Sequence, residues 1–225
     1  MTDTDDGRPY RLLDALGATA VPAGTSLLIT ASEPGGTEFL MRLLGQGHRD
    51  GEELLVLTTD DPAGTVTADI EAYTDGPESG PTDGIRVIDC QTEPVNVDDE
   101  SVVTQNVNTP RNLTDIGIGF KDAFDDFDAA GIDRVRFGLL SLSVILSYVD
   151  RETAYRFCQT LTRGVAETVA LGLFLLNVDA HDEETIKTLQ RAFDGVVNVE
   201  STGEGLTVQV SGIEGVSEEG HSVAE

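Results

Sequence analysis

Three stretches carry groups that could do chemistry. The first is "ASEPGGTE", residues 31–38, inside "SLLITASEPGGTEFLMRLL" (26–44). An apolar strand, a tight Gly-rich turn and a helix form the outline of a phosphate-binding loop, where backbone N–H groups at a helix N-terminus wrap phosphate oxygens. The candidate loop residues are Ser32, Glu33, Pro34, Gly35, Gly36, Thr37 and Glu38. The lysine that neutralises the β/γ oxygens in G-x-x-x-x-G-K-[ST] is absent. Glu38 instead brings a carboxylate to the helix start, where the dipole favours it and where it competes for a phosphate's place. A plain strand-to-helix turn accounts for the same residues.

The second stretch is "TTDDP", with Asp60 and Asp61 at a strand end. A carboxylate pair there suits a general base or a metal ligand. Two solvated acids, the first capping the next helix before Pro62, is the simpler reading in so acidic a chain. The third is "RVRFGLLSLSVIL", with Ser141 and Ser143. No histidine stands near either in sequence to activate it, so a hydrolase is unsupported. His48, His181 and His221 are scattered and none has a partner at metal-ligand spacing, so no metal site is expected. "DAHDEE" reads as an acidic helix start.

The elements that hold these groups follow from pattern. "YRLLDAL" suggests a short helix packing on a sheet. "TSLLIT" (25–30), "ELLVLTT" (53–59), "IRVIDC" (85–90), "RVRFGLLSLS" (134–143) and "LFLLNVD" (173–179) read as buried strands. Helices are expected after Thr37, with Gly45 and Gly47 as stops, over 63–73, over "NLTDIGIGFKDAFDDFDAAGI" with Gly131 as a stop, over "RETAYRFCQTLTRGVAETVALG" ending at Gly172, and over 182–193. Residues 75–84 and 91–110 read as polar connections, and Arg134 and Arg136 as lying near a solvated strand start. "GVVNVES" and "LTVQVSG" alternate as a closing antiparallel hairpin through "TGEG".

Five alternations of strand and helix, with strands apolar on both faces, predict an α/β fold with a mostly parallel sheet flanked by helices on both sides. Ligands in such sheets bind beyond the carboxyl ends of the strands, here the turns after Thr30, Thr59, Cys90, Ser143 and Val178. The chain divides into a flexible acidic start (1–9), one domain (10–212) and a disordered acidic tail (213–225).

Charge narrows the class further. The chain has 225 residues, with 41 Asp and Glu against 14 Lys and Arg, a net charge of −27. Only Lys121 and Lys187 are lysines. Dispersed acids with scarce lysine read as adaptation to salt, which screens self-repulsion. They argue against a nucleic-acid footprint, which needs clustered cations. Cys90 and Cys158 read as buried thiols in a reducing compartment. The 13-residue run "FGLLSLSVILSYV" is too short to span a bilayer, and "MTDTDDGRPY" is no signal peptide, so a soluble cytoplasmic protein is expected.

At "ASEPGGTE" the chain resembles the RecA/KaiC superfamily of P-loop ATPases, whose common loop is G-x-P-G-x-G-K-[ST]. Matching Pro34-Gly35 puts Ser32 and Thr37 at the flanking glycines, Gly36 at the variable position, Glu38 at the lysine and Phe39 at the hydroxyl. Sliding one residue puts Thr37 at the lysine and Glu38 at the hydroxyl. Asp60 and Asp61 match the place of the acidic pair that activates water in KaiC-like proteins. Ser141-Leu142-Ser143 match the tail of the Walker B strand, with Leu140 where its aspartate belongs. "TPRNLTDIGIGFKDAF" and "AFDGVVNVES" are similar to segments of archaeal KaiC-like proteins, and the resemblance covers residues 10–212.

The resemblance implies a RecA-like sheet and ATP with Mg²⁺ as cofactor, yet the lysine, the Mg²⁺-holding hydroxyl and the Walker B aspartate are all missing. The expectation is therefore a degenerate, non-enzymatic member from a halophilic archaeon, regulatory or scaffolding, acting through a protein partner or homo-oligomer, without nucleic acid or membrane. The alternative is an ATP-binding or ATP-hydrolysing switch whose site is rearranged, with Arg42 or a neighbouring subunit's arginine replacing the lysine. Backbone N–H groups alone would otherwise hold the nucleotide. A DNA-repair role is disfavoured by the charge.

Overall fold

The computed structural model describes residues 7–13, 20–74, 84–91, 103–203, 205–214, 216, 218 and 220–223. β1 (Tyr10–Arg11) and β2 (Ala20–Val21) form a small antiparallel ribbon. There follow β3 (Ser26–Ala31), α1 (Gly35–Arg49), β4 (Glu53–Thr58), α2 (Ala63–Ala72), β5 (Ile85–Asp89), β6 (Val103–Asn106), α3 (Leu113–Ala129) and β7 (Val135–Leu139). The chain continues through α4 (Leu142–Tyr148), α5 (Arg151–Glu167), β8 (Leu171–Asn177), α6 (Glu183–Gln190), β9 (Gly195–Thr202), β10 (Gly205–Ser211) and β11 (His221–Val223).

The main sheet runs β11-β10-β9-β3-β8-β7-β4-β5-β6. All pairings from β9 to β6 are parallel, and β10 and β11 add antiparallel strands at one edge. Period-two alternation divides the core. Leu27 and Ile29 of β3, with Leu54 and Val56 of β4, face a cluster built with α1 and α2. Leu28, Leu55 and Leu57 face the opposite cluster, built with α3, α4, α5 and α6. Strands apolar on both faces are what a sheet covered on both sides requires, so the expected mostly parallel sheet with helices on both faces and a closing hairpin is the observed one.

Several local expectations are corrected. Tyr10–Arg11 is a strand, not part of a helix; residues 14–16 of that stretch lie outside the described residues. Tyr10 is held by tertiary bonds, its hydroxyl accepting from Val135 N (3.3 Å) and donating to Val169 O (3.2 Å). The fourth strand stops at Leu139, because Ser141 caps a helix by accepting from Val144 N (3.2 Å) while Leu142 and Ile145 turn into the core. Apolar runs of this length fit strand or helix equally by periodicity. Within the connection 91–110, Val103–Asn106 adds as an edge strand to β5, and residues 92–102 lie outside the described residues. In the acidic tail, His221–Val223 pairs with β10.

Three glycines have other duties than stopping helices. Gly45 and Gly47 lie inside α1, and a Cβ on Gly47 would sit 2.5 Å from Arg136 Nε. Gly172 lies in β8; α5 ends instead through Val169, whose φ of 57° is rare for a β-branched residue. The space at Gly47 admits a charge that was expected near solvent. Arg136 is fully buried, with Nε donating to Glu52 Oε2 at 2.7 Å and Nη2 to Arg11 O at 2.9 Å. Arg134 also reaches Glu52 (3.1 Å) and lies over the Tyr10 ring at 4.0 Å.

Candidate functional site at the carboxyl ends of the strands

The turns after β3, β4, β7 and β8 meet around an open cavity of about 460 Å³, where a parallel sheet is expected to bind its ligand. Its first wall is Glu33 and Thr37. Only Ser32, Glu33 and Pro34 separate β3 from α1, and Pro34 offers no side-chain cap. Glu33 supplies one by folding back over the helix start: its Oε2 accepts from Thr37 Oγ1 (2.9 Å) and Thr37 N (3.4 Å). Gly36 N donates to Ser32 O (3.3 Å) and Glu38 N to Pro34 O (3.2 Å). The N–H groups of Gly36, Thr37 and Glu38, which a phosphate loop would offer, are thus engaged within the turn.

The two glycines of this turn serve packing. A Cβ on Gly36 would lie 2.8 Å from both Ala31 Cβ and Leu175 Cδ1, and one on Gly35 would lie 2.4 Å from Ser201 Oγ. They let α1 sit directly on the sheet. Glu38 is not part of the cavity wall; it pairs with Arg42 at 2.6 Å, whose guanidinium lies 5.7 Å from the Tyr73 ring centroid. Glu38 does lie in the first turn of α1, as the sequence suggested, and Glu33, just before the helix, adds a second carboxylate that caps Thr37.

Thr58, Thr59, Asp60 and Asp61 make the second wall. Thr58 Oγ1 donates to Asp61 O (2.7 Å), fixing the turn. Burial, and secondarily the Asp61 charge, push the Asp60 carboxyl above its ordinary value. Asp60 does not cap α2. That role falls to the buried Asp89 at the end of β5, whose two oxygens accept from Ala63 N (3.0 Å) and Gln91 N (2.9 Å). An acid closing an apolar run, as in "IRVID", is the only sign of it in the sequence.

The third wall comes from β7, α4 and β8. Leu140 lines it at the end of β7, with Ser141, Ser143 and Asn177. Ser143 does have a histidine partner: its Oγ lies 2.9 Å from His181 Nε2 and accepts from Asn177 N (3.1 Å). Thirty-eight residues of sequence hid the pair. Burial lowers the His181 pKa, against a smaller opposing effect of Asp182, which favours the neutral ring. The pair ties α4 to the end of β8.

His48 ends α1 and His221 sits on β11, and among the described residues no group of three or more His, Cys, Asp or Glu could hold a metal ion. Cys90 and Cys158 are buried free thiols, as expected, with pKa values pushed up to about 12 by burial. No helix among the described residues is long and apolar enough to cross a membrane.

A family model described as "Family of unknown function (DUF7504)" matches residues 24–199, from just before β3 into β9. The chain belongs to this family. The DUF7504 region thus contains all the cavity walls and most of the main sheet. Among curated proteins none matches the chain. Among solved structures, the crystal structure of a KaiC-like protein from the hyperthermophilic archaeon Pyrococcus horikoshii is similar with a TM-score of 0.62 at 14% identity, covering 94% of both chains. This DUF7504 member therefore has a RecA-like α/β fold.

RecA-like folds imply Mg²⁺–ATP, and the residues here do not fit it. Among the described residues the cavity walls carry Glu33, Asp60 and Asp61 and no lysine or arginine, and the end of β7 offers Leu140. A triphosphate would meet charge of its own sign, with no cationic side chain among the described wall residues to neutralise it.

Proposed function

We propose that this chain is a RecA/KaiC-like domain without nucleotide chemistry, working as a regulatory or scaffolding module through a protein partner or copies of itself. The observation that carries this reading is the Glu33 carboxylate folded over the α1 N-terminus at 2.9 Å from Thr37 Oγ1. An intramolecular carboxylate there competes with any phosphate at no entropic cost of association. The loss of the Walker B aspartate at Leu140 is independent of it and points the same way. A fold that keeps its sheet and drops its chemistry retains surfaces as its means of action. The acidic, lysine-poor composition supports a salt-adapted, archaeal, cytoplasmic setting.

The test is titration calorimetry of ATP and ADP with Mg²⁺ in multimolar KCl, beside Glu33→Ala and Glu38→Lys variants and a phosphate-release assay. Wild type is expected to show neither saturable heat nor turnover. Glu33→Ala frees the Thr37 N–H and is the variant expected to gain weak binding; Glu38→Lys, at a position outside the cavity wall and with the Glu33 cap intact, is not. Micromolar ATP binding by wild type, or hydrolysis abolished by Asp60→Ala, would sink the proposal.

A further inference from the structure

The end of the sheet where β4 and β7 begin, opposite the candidate site, carries two hollows of opposite charge that share a wall. One, of about 450 Å³, is lined by Arg8, Arg11 and Arg134 together with Asp50 and Glu52. The other, also of about 450 Å³, has an apolar floor that includes Phe124 and Val135 and a rim of Asp125, Asp128, Asp133 and Glu167. Gly7 and Asp133 line the acidic hollow, while Arg8 and Arg134, the next residues along the chain, line the basic one.

In a chain with 14 Lys and Arg against 41 acids, arginines gathered at one hollow need a reason. The buried Glu52 does not require them all, since Arg136 (2.7 Å) and Arg134 (3.1 Å) already pair with it. Arg8 and Arg11 are exposed, and they are placed through their backbone. Arg134 Nη1 donates to Arg8 O (3.0 Å) and Arg136 Nη2 to Arg11 O (2.9 Å). The Arg11 side chain is 61% exposed and lies 3.8 Å from Asp50, a pair of small worth in water. In the acidic hollow Asp125 pairs with Lys121 and Glu167 with Arg163, but Asp128 and Asp133 have no ion pair among the described residues.

A separate observation comes from Val169, which lines the acidic hollow and ends α5 in the left-handed conformation, with φ 57°. Glycine takes that place at little cost and a β-branched residue only with strain. Its side chain is nonetheless 44% exposed. The Tyr10 hydroxyl uses only the Val169 carbonyl, which a glycine would offer equally. Strain and an exposed apolar side chain at one position bring a single chain nothing, and burial against another molecule accounts for both.

Hollows of opposite charge on either side of one wall are exchanged by a two-fold axis through that wall. The basic hollow of one copy then meets the acidic hollow of the other, twice over. We propose that this end of the sheet is the interface of an isologous homodimer. Arg8 and Arg11 of each copy face Asp128 and Asp133 of the other, and each Val169 is covered by the arginine stems of the other copy. The proposal rests on the reading that the chain acts through its surfaces, and it names the partner as a second copy.

The experiment is analytical ultracentrifugation of the full chain in molar KCl, where exposed charges are screened within about 3 Å and only close pairs count. Wild type is expected as a two-chain particle at micromolar concentration. Arg8→Glu with Arg11→Glu makes both hollows acidic, Asp128→Arg with Asp133→Arg makes both basic, and each double variant alone is expected as a monomer. Mixed one to one, they should regain the two-chain particle, because both contacts are then of opposite sign; misfolded variants or an unrelated face would not restore it. Val169→Gly, which relaxes the backbone, should raise the dissociation constant about tenfold while the circular dichroism spectrum stays the same. A monomeric wild type, double variants that still dimerise, a mixture that fails to pair, or an unchanged dissociation constant in Val169→Gly would each overturn the proposal. So would a monomer that binds inorganic phosphate one to one, which would give the arginine hollow to a small anion. A monomeric wild type that also fails to bind ATP removes this interface alone, whereas ATP binding removes the reading on which it rests.

Discussion

At the scale of single residues, the distribution of protons at the strand ends is set by neighbours far away in sequence. Burial lowers the His181 pKa below its ordinary value and so opposes uptake of a second ring proton, while its Nε2 lies 2.9 Å from Ser143 Oγ. The unfolded chain begins to take up that proton near pH 6.5 while the folded chain still resists it. Stability should therefore fall as pH drops through this value, and keep falling until the lower folded pKa is reached. His181→Gln removes this contribution. The difference between variant and wild-type melting temperatures across pH 8 to 5 isolates it; parallel curves would rule out the Ser143–His181 link. Glu33 shows the same dependence on context. Its sequence position marks it as a loop residue, and only the fold reveals that it caps the helix start through Thr37, beside Glu38 in the first turn.

At the scale of elements, the sheet is anchored at the end opposite the cavity by a charge in the core. Arg136 of β7 crosses Gly47 of α1 to reach Glu52 at 2.7 Å and the carbonyl of Arg11 at 2.9 Å. Removing one partner of such a pair leaves the other charge buried and alone, which typically costs about 3–5 kcal/mol. Glu52→Gln should lose stability on that scale in urea unfolding, and Arg136→Met added to it should recover part of the loss. Additive losses would mean that the pair is not coupled. Gly47→Ala should destabilise through the 2.5 Å clash with Arg136 Nε, with Ala being otherwise the better helix former. Periodicity was a sound guide to α3, α5 and the five buried strands, because burial of one stripe or two faces writes itself into the order of apolar residues. It was a poor guide to α4, whose apolar run fits either element, and to β6, an edge strand of mixed polarity. It also misjudged Gly45, Gly47 and Gly172, where close packing and not chain termination demands the missing side chain.

At the scale of the whole molecule, a net charge of −27 makes the compact state repel itself. Raising KCl from about 0.1 M to 1 M shortens the screening length from roughly 10 Å to 3 Å. The melting temperature should rise steeply over that interval, and more than it does with an equal osmolality of sucrose, which screens nothing. Equal responses would remove the electrostatic account. The same charge reaches the cavity, whose walls include Glu33, Asp60 and Asp61. Composition and the alternation of strand with helix are local properties of the chain, and from them the sequence by itself determined the α/β class and the mostly parallel sheet. The Glu33 cap, the Asp89 hold on α2, the Ser143–His181 pair and the buried Arg136 were decided only by the tertiary structure. Each depends on distance across the fold between groups that are remote along the chain or whose burial is created by other elements, and no spacing in the sequence encodes such a distance.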